Sequence, residues 1–255
     1  MLELNKIYCM DNIEGLKKLD YDSIDLTVTS PPYDNLRNYK GFKWNFEEVA
    51  KQLYRITKIG GVVVWVVGDS TKNGSESCTS FKQALYFRKI GFNLHDTMIY
   101  KKVNPIPLNH NRYEQCFEYM FIFSKLKIKT FNPLLEQCKT TGVLRNYRNP
   151  GRVKESAVRN RDELIITKET KYKNNIWEYV VGGKKEEGMN HPAVFPEQLA
   201  QDHILSWSNE GDLILDPFMG SGTTAKMAKL NNRNFIGFEI SQEYCDFANK
   251  RIENL

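Results

Sequence analysis

The sequence predicts an α/β protein with a doubly wound, mostly parallel sheet, and three observations point to this fold class. Stretches rich in β-branched residues alternate along the chain with stretches of helical apolar spacing. The longest apolar run, residues 62–67, has the length of a strand and is too short to span a membrane. With 255 residues, of which 41% are hydrophobic, the chain can bury the core of one large domain.

The first half of the chain begins this alternation. Ile24–Thr29 predicts a strand because it is rich in β-branched residues, and the two prolines that follow it must stop sheet pairing. Residues 46–59 carry apolar side chains at helical spacing and precede two glycines, so we expect a helix there. The next expected elements are a buried strand at 62–67, a helix at 79–90, and strands around 92–101 and 116–124.

After a polar interval the alternation returns and completes the pattern. The expected elements are a helix at 195–207, a strand at 213–215, a helix at 225–230 and a strand at 235–238. Ser241 then has the residue type and the position to cap a last helix. Since ligands bind beyond the carboxyl ends of strands in such sheets, the turns that follow the strands are the candidate sites.

Charge is concentrated in one part of the chain. The formal net charge of +5 decides little by itself. Between residues 125 and 173, however, thirteen Lys and Arg face five Asp and Glu, which gives +8 and leaves 5 − 8 = −3 for the remainder. From the residues alone this segment is either a solvated surface insertion or a nucleic-acid-binding element.

Cysteine and histidine usage argues against a metal site. The five cysteines are scattered, form no CxxC pair and have no histidine at zinc-ligand spacing: Cys9, Cys78, Cys116, Cys138 and Cys245. Reduced thiols in a cytoplasmic protein are therefore expected. The N-terminal residues interrupt their apolar positions with charges, which fits neither a signal peptide nor a membrane span.

The first candidate site is a glycine-containing turn after the strand at 213–215. It comprises Asp216, Pro217, Phe218, Met219, Gly220, Ser221, Gly222, Thr223 and Thr224. The glycines permit a tight turn and close approach of a ligand, and the amides at the start of the next helix favour a carboxylate. Asp216 could hold a cationic amine, so a zwitterionic methionyl group would suit the turn.

Glu239 ends the following predicted strand, where a carboxylate can accept hydrogen bonds from both hydroxyls of a ribose, which implies adenosine. The chain has neither the Gly-Lys-Ser/Thr of a phosphate-binding loop nor a complete GxGxxG. The alternative interpretation is an ordinary turn between a strand and a helix.

The second candidate site is the tetrapeptide Ser30, Pro31, Pro32 and Tyr33. The exocyclic amino group of a base is a poor nucleophile because its lone pair is delocalised into the ring. Acceptors beside its two hydrogens, here the Ser30 hydroxyl and the Pro31 carbonyl, would direct that lone pair at a methyl donor. The prolines make the turn rigid, and Tyr33 offers an aromatic face for a base flipped out of the duplex. An isolated motif of this kind would more often be a proline turn with a core tyrosine.

Together these motifs resemble the amino-methyltransferases of bacterial restriction-modification systems. The order matches their β arrangement, in which the catalytic motif comes first and the cofactor loop last, a circular permutation of the usual order. Ser at position 30 is typical of cytosine N4 enzymes, whereas adenine N6 enzymes more often have Asp or Asn. The segment from His191 to Pro196 resembles the HPAxFP element of the same family.

The resemblance implies a Rossmann-like fold, S-adenosylmethionine as cofactor and double-stranded DNA as substrate, with cytosine N4 favoured over adenine N6. It also implies that Phe195 packs on the methionine end of the cofactor and that Asp11 reaches its adenine edge. The segment from Asn104 through Arg112 to Glu118, which leads to a strand ending at Lys125, would line the target-base pocket. A companion restriction endonuclease and a homodimer are compatible with it.

By the same likeness the chain divides into a catalytic half at 1–124, a target recognition region at 125–175 and a cofactor-binding half at 176–255. The DNA contacts would then include Arg145, Arg148, Arg152, Arg159 and Arg161. Two other functions are left open by the residues: a protein glutamine methyltransferase, which also uses a Pro-Pro-Tyr turn, and a DNA-binding module without catalysis.

Overall fold

The structure is a computed structural model. The structure describes residues 2–32, 44–105, 111–139, 141, 168–181, 195–253 and 255, and the backbone of 144–146 and 164–166. Among these residues, no helix has the length and apolar character needed to cross a membrane.

Strands and helices alternate along the chain as the sequence predicts. The strands are β1 (Lys6–Cys9), β2 (Ile24–Thr29), β3 (Thr57–Val67), β4 (Thr71–Lys72), β5 (Ser75–Glu76), β6 (Asn93–Lys102), β7 (Phe117–Ser124), β8 (Leu135–Gln137), β9 (Leu144–Asn146), β10 (Leu164–Ile166), β11 (Thr170–Tyr172), β12 (Ile176–Tyr179), β13 (Leu213–Asp216) and β14 (Asn234–Glu239). The helices are α1 (Asn12–Lys17), α2 (Phe46–Ile56), α3 (Thr79–Lys89), α4 (Glu197–Trp207), α5 (Thr223–Leu230) and α6 (Gln242–Glu253).

Eight of these strands form one sheet in the order β1-β14-β13-β2-β3-β7-β6-β12. β7 runs antiparallel to both of its neighbours, and the other pairs in this sheet are parallel. The predicted doubly wound, mostly parallel sheet is therefore confirmed. From β2 the chain proceeds outward through β3, whereas from β13 it proceeds to β14 on the other side. The switch point of the topology lies between β2 and β13, which is where ligands bind in open α/β sheets.

Both faces of the sheet are covered. On one face Trp65 packs in a cluster with Leu53 of α2 and Phe87 of α3. Val64 and Val66, which alternate with Trp65 along β3, point to the opposite face and are equally buried. That face is covered by α4, α5 and α6, which contact one another in sequence. Burial on both faces explains why β3 is a continuous apolar run rather than an alternating one.

Several boundaries differ from the sequence-based expectations by a few residues. The helix expected at 46–59 ends at Ile56, and β3 begins at Thr57, which pairs with Ile24 of β2. Gly60 does not stop the strand, because its positive φ of 81° is accommodated while its amide donates to Lys125 at 2.7 Å. The helix expected from 195 starts at Glu197, since Pro196 takes the extended conformation of a cap residue.

The chain divides into two compact units, one formed by Met1–Asn132 and Asn175–Leu255 and the other by Pro133–Asn174. The second unit is built from short strands. Within it β8 pairs antiparallel with β11, and β9 pairs antiparallel with β10. An ion pair of 2.9 Å joins Lys171 to Glu136 across the first of these ribbons. The unit lies within the predicted recognition region 125–175, and this functional division stays a prediction.

Candidate functional site

The two predicted sites meet at the carboxyl ends of neighbouring strands. Thr29, the last residue of β2, donates its hydroxyl hydrogen to Oδ1 of Asp216, the last residue of β13, over 2.6 Å. Both side chains are buried. Ser30 follows one of these residues and Pro217 follows the other, so the proline turn and the glycine turn leave the sheet side by side. Residues almost 190 positions apart are thereby joined at the switch point of the sheet.

The glycine turn is shaped by its own backbone. The Phe218 amide donates to Oδ1 of Asp216 at 3.0 Å, and the Met219 amide donates to the Phe238 carbonyl of β14 at 2.9 Å. Gly220 and Gly222 have φ of 53° and 82°, in the left-handed region that glycine tolerates best. The turn therefore bends over the end of β13 and delivers the chain into α5.

Asp216 is a buried carboxyl group with an unusual pKa. Burial raises its pKa to about 6, and the nearby carboxylate of Glu239 acts in the same direction. Hydrogen bonds from Thr29, Phe218 and Thr224 oppose this rise only in part. These three partners are uncharged, so a cationic group brought to Asp216 would stabilise its ionised form.

Glu239 stands at the end of β14, next to the same turn. Its two carboxylate oxygens accept hydrogen bonds from the amides of Gly220 and Ser241, each at 2.8 Å. Burial raises the pKa of Glu239, and those amide donors work against the rise. A carboxylate has about four lone-pair sites, so Glu239 can hold the turn and still accept hydrogen bonds from a ligand diol.

Gly222 is required for packing as well as for its conformation. A Cβ at this position would lie 2.9 Å from the Cβ of Ala248 on α6. From the sequence we expected the glycines to be needed for the approach of a ligand. For Gly222 the structure gives a different reason, namely the close packing of the turn on α6.

Replacing Gly222 by Ala should therefore destabilise the fold more than the same change at Gly211. Both glycines have a positive φ, near 82°, but a Cβ at Gly211 would meet nothing within 4 Å. Left-handed strain costs about 1–2 kcal/mol in each variant, and overpacking adds about 1–3 kcal/mol at Gly222. Urea unfolding of the two variants measures the difference, and equal losses would refute the packing explanation.

The remaining predicted residues of the turn are largely enclosed. Pro217, Ser221 and Thr223 are buried, and Thr223 begins α5. Phe218 is half-buried, and its ring packs edge-on against Trp44 with centroids 4.9 Å apart. The ring of Phe218 thus anchors the turn to the aromatic cluster on the α2 face.

Asp11 and Phe195 lie at ends of elements. Asp11 caps α1, accepting hydrogen bonds from the amides of Ile13 at 2.9 Å and Glu14 at 3.2 Å. It follows β1, whose last residue, Cys9, pairs with Glu239. Asp11 is therefore near the end of β14, where Glu239 lies, and its contact with the adenine stays a prediction. Phe195 is half-buried and lies immediately before the cap of α4.

A link that the sequence analysis missed joins the turn to α4 and α6. Arg251 of α6 donates to the Ser221 carbonyl at 3.0 Å and pairs with Glu197 in the first turn of α4. No local motif signals it, because the three residues come from three separate segments. The buried hydrogen bond from Thr29 to Asp216 was also missed. The position of Thr29 at the end of a predicted strand, next to Ser30, was recognised.

The reversed direction of β7 decides which of its ends faces the site. Glu118, near the start of β7, lies at the same end of the sheet as Ser30, where the parallel strands have their carboxyl ends. It forms an ion pair of 2.7 Å with Lys102 of β6. Lys125, which follows its end, pairs at 2.7 Å with Asp22, just before β2. At Glu118 the predicted pocket segment thus reaches the end of the sheet where Ser30 lies, whereas Lys125 lies at the opposite end.

Several predicted residues fall outside the described part of the chain. These are Tyr33, Arg148, Arg152, Arg159, Arg161 and the segment 191–193, and for Arg145 the structure describes only the backbone, in β9. Their predicted roles stay predictions. Within the described ranges no group of three or more His, Cys, Asp or Glu side chains is arranged to hold a metal ion.

Comparison with known protein sequences gives a consistent result. The family profile N6_N4_Mtase, described as DNA methylase, matches residues 24–250. The orphan methyltransferase M.BamHII of Bacillus amyloliquefaciens is 56% identical over 241 residues, which cover 91% of this chain and 89% of that protein. The DNA adenine methyltransferase YhdJ of Escherichia coli strain K12 is 30% identical, with 95% of this chain and 81% of that protein covered.

Solved structures share the fold. The complex of M1.HpyAVI with SAM has a TM-score of 0.61 and 26% identity, covering 96% of this chain and 98% of that one. The cytosine-N4-specific PvuII DNA methyltransferase has a TM-score of 0.71 at 20% identity, covering 96% of this chain and 85% of that one. These similarities confirm the Rossmann-like methyltransferase architecture that the motif order predicts.

Proposed function

This chain belongs to the N6/N4 DNA methylase family, and we propose that within this family it methylates the N4 amino group of cytosine in double-stranded DNA. The observation that carries the proposal is the contact between Thr29 and Asp216, because it brings the proline turn beside the cofactor turn. The cofactor is S-adenosylmethionine, which supplies an activated methyl group on a sulfonium.

The residues at the glycine turn fit this cofactor. Asp216 is a fully enclosed carboxylate whose described partners are neutral, which suits the cationic amine of the methionine moiety. The backbone from Gly220 to Thr223 would receive the carboxylate at the start of α5. Glu239 would accept the ribose hydroxyls, and Asp11, beyond β1, would reach the adenine. Phe195 would pack on the methionine end.

Affinity for the cofactor should depend on pH through Asp216. Only the ionised carboxylate attracts the amine, and the pKa of Asp216 in the free protein is about 6. We expect the dissociation constant for S-adenosylmethionine to rise about tenfold between pH 7 and pH 5, as Asp216 takes up a proton. The pKa of Glu239, the charged neighbour, is raised as well, mainly by burial.

Calorimetry across this pH range provides the measurement. An Asp216→Asn variant serves as the control, since its weaker binding should lose most of the pH dependence. A flat profile in the wild-type protein would remove Asp216 from the amine site.

The proline turn would act on the base. The Ser30 hydroxyl and the Pro31 carbonyl would each accept a hydrogen bond from the amino group, so that the nitrogen lone pair points at the methyl carbon. Pro31 is buried and Ser30 is half-buried at the end of β2, which holds the acceptors on a rigid element. Pro32 restricts the backbone further, and Tyr33 would stack on the flipped base.

The base specificity rests on position 30. Serine there is the form that resembles cytosine N4 enzymes, which favours cytosine. Adenine N6 is the second candidate, because the relative YhdJ is named a DNA adenine methyltransferase. Mass spectrometry of nucleosides from DNA incubated with the protein and S-adenosylmethionine distinguishes them. N4-methylcytosine is the expected product, and N6-methyladenine alone would overturn the proposal.

Contacts with DNA outside the flipped base are proposed for the basic segment that contains the unit Pro133–Asn174. Its excess of positive charge is of the kind that neutralises phosphates. The unit is built from short antiparallel ribbons, and strands of this kind can lie along a groove of DNA. A companion endonuclease and a dimeric state stay predictions from the resemblance.

A further inference from the structure

One arginine outside both motifs contacts the back of the cofactor turn. The side chain of Arg251 is only 4% exposed and projects from the last turn of α6. Its Nη1 donates to the Ser221 carbonyl at 3.0 Å and to the Thr223 hydroxyl at 3.1 Å. Its Nη2 donates to the carboxylate of Glu197. A single guanidinium thus spans the cofactor turn and the start of α4.

The carboxylate of Glu197 is shared between two cations. Besides Arg251, its Oε1 accepts from Nζ of Lys226 on α5 at 2.7 Å. Glu197 is separated from Phe195 by one residue, Pro196, whose ring fixes the backbone between them. The position of Phe195 is therefore tied to Arg251 through Pro196 and the ion pair between Glu197 and Arg251.

On the side of α6 the turn also packs on Ala248 through Gly222. Gly222 is the residue before α5, has φ of 82° and provides no side-chain cap for the helix. A guanidinium offers several N–H donors in a planar fork, so it can hold a carbonyl and a carboxylate at the same time. Burial of such a charge is tolerated only when it is paired, and Glu197 satisfies this requirement.

We propose that Arg251 is a positioning residue for the cofactor. It holds the turn at Ser221 and Thr223 and, through Glu197, the segment that carries Phe195. The turn and Phe195, which would both contact the methionine moiety, are thereby fixed relative to each other before the cofactor binds. Binding then loses less conformational entropy, which favours higher affinity. The inference rests on the proposed roles of the turn and of Phe195.

The test uses the full chain and S-adenosylmethionine as the probe. Arg251→Lys keeps the charge but lacks the fork, so Lys cannot reach the turn and Glu197 together. We expect its dissociation constant, measured by calorimetry, to rise about tenfold, and that of Arg251→Met to rise about a hundredfold. The value of kcat at saturating cofactor and the KM for DNA should stay near those of the wild-type protein.

Two further variants keep the result decisive. Lys250→Met alters the exposed neighbour on the same helix and should bind the cofactor normally. Glu197→Gln removes the charge of the other partner in the ion pair, at a partly exposed position. Like Arg251→Lys, it should raise the dissociation constant for S-adenosylmethionine. If Arg251→Met does not fold, these milder variants decide the matter.

A purely structural role predicts a different outcome. In that case Arg251→Lys and Glu197→Gln would melt at lower temperature and yet bind the cofactor like the wild-type protein, and the inference would be overturned. Failure of the wild-type protein itself to bind S-adenosylmethionine would count against the proposed function instead. The two failures are therefore distinguishable.

Discussion

Ser30→Ala should lower kcat for methyl transfer by about 100- to 1000-fold, the loss found when one preorganised hydrogen-bonding group is removed from a reacting centre. Ser30 follows the last residue of β2 and would accept one amino hydrogen of the base. The Pro31 carbonyl remains in the variant, so a residual rate is expected. Affinity for S-adenosylmethionine should not change, because Asp216 and the glycine turn are intact.

The control for this variant is Ser23→Ala, just before the opposite end of the same strand, where the hydroxyl donates to the Asp20 carbonyl at 2.7 Å. Single-turnover rates with saturating cofactor separate the chemical step from product release. Wild-type rates in Ser30→Ala would remove Ser30 from the reaction. A loss of cofactor binding in the same variant would mean that the proline turn acts through the fold.

Asp216→Asn should have opposite effects on cofactor binding and on stability. Asn can still accept hydrogen bonds from Thr29 and Phe218, but it carries no charge to attract an amine. We therefore expect the dissociation constant for S-adenosylmethionine to rise about ten- to a hundredfold, as for the loss of a charged hydrogen-bond partner.

The sign of the stability change follows from the pKa. Since the folded-state pKa of about 6 exceeds the ordinary value of 3.8, this group contributes most to stability below pH 3.8, and that contribution is lost as the pH rises through 6. At neutral pH the wild-type protein must bury an ionised carboxylate, which is unfavourable, whereas the variant buries a neutral amide. The free energy of unfolding of the variant should therefore be higher by up to about 3 kcal/mol. Urea unfolding at pH 5 and pH 7.5 measures it, with Asp212→Asn, before the other end of β13, as the control.

A destabilised Asp216→Asn protein would contradict this reasoning. It would mean that the hydrogen bonds of the carboxylate outweigh the cost of burying its charge. Unchanged cofactor affinity in a folded variant would instead remove the charge of Asp216 from recognition of the amine.

The sequence predicted those parts of the fold that are encoded locally. β2 and β13 were recognisable from short apolar runs that end at distinctive turns. β1 and α1 went unpredicted because β1 is a short edge strand with one buried residue, so its pattern is weak. Its position is determined by pairing with β14 at the far end of the chain.

The same distinction holds for the site. The residues of the two turns were identified because their types and order are unusual, whereas Arg251 is one of many arginines in the chain. Only the packing of α6 against α5 shows that it reaches Ser221. The reason for Gly222 could not be predicted either, since it depends on Ala248, which is distant in sequence.

The pairing of β2 with β13 has a consequence for how such proteins can evolve. The hydroxyl of Thr29 and the carboxylate of Asp216 touch across the sheet, so their meeting does not depend on which of them is translated first. A gene rearrangement that moved the ends of the polypeptide to another surface loop would leave this crevice unchanged. The linear order of the two halves is thus not a requirement of this contact.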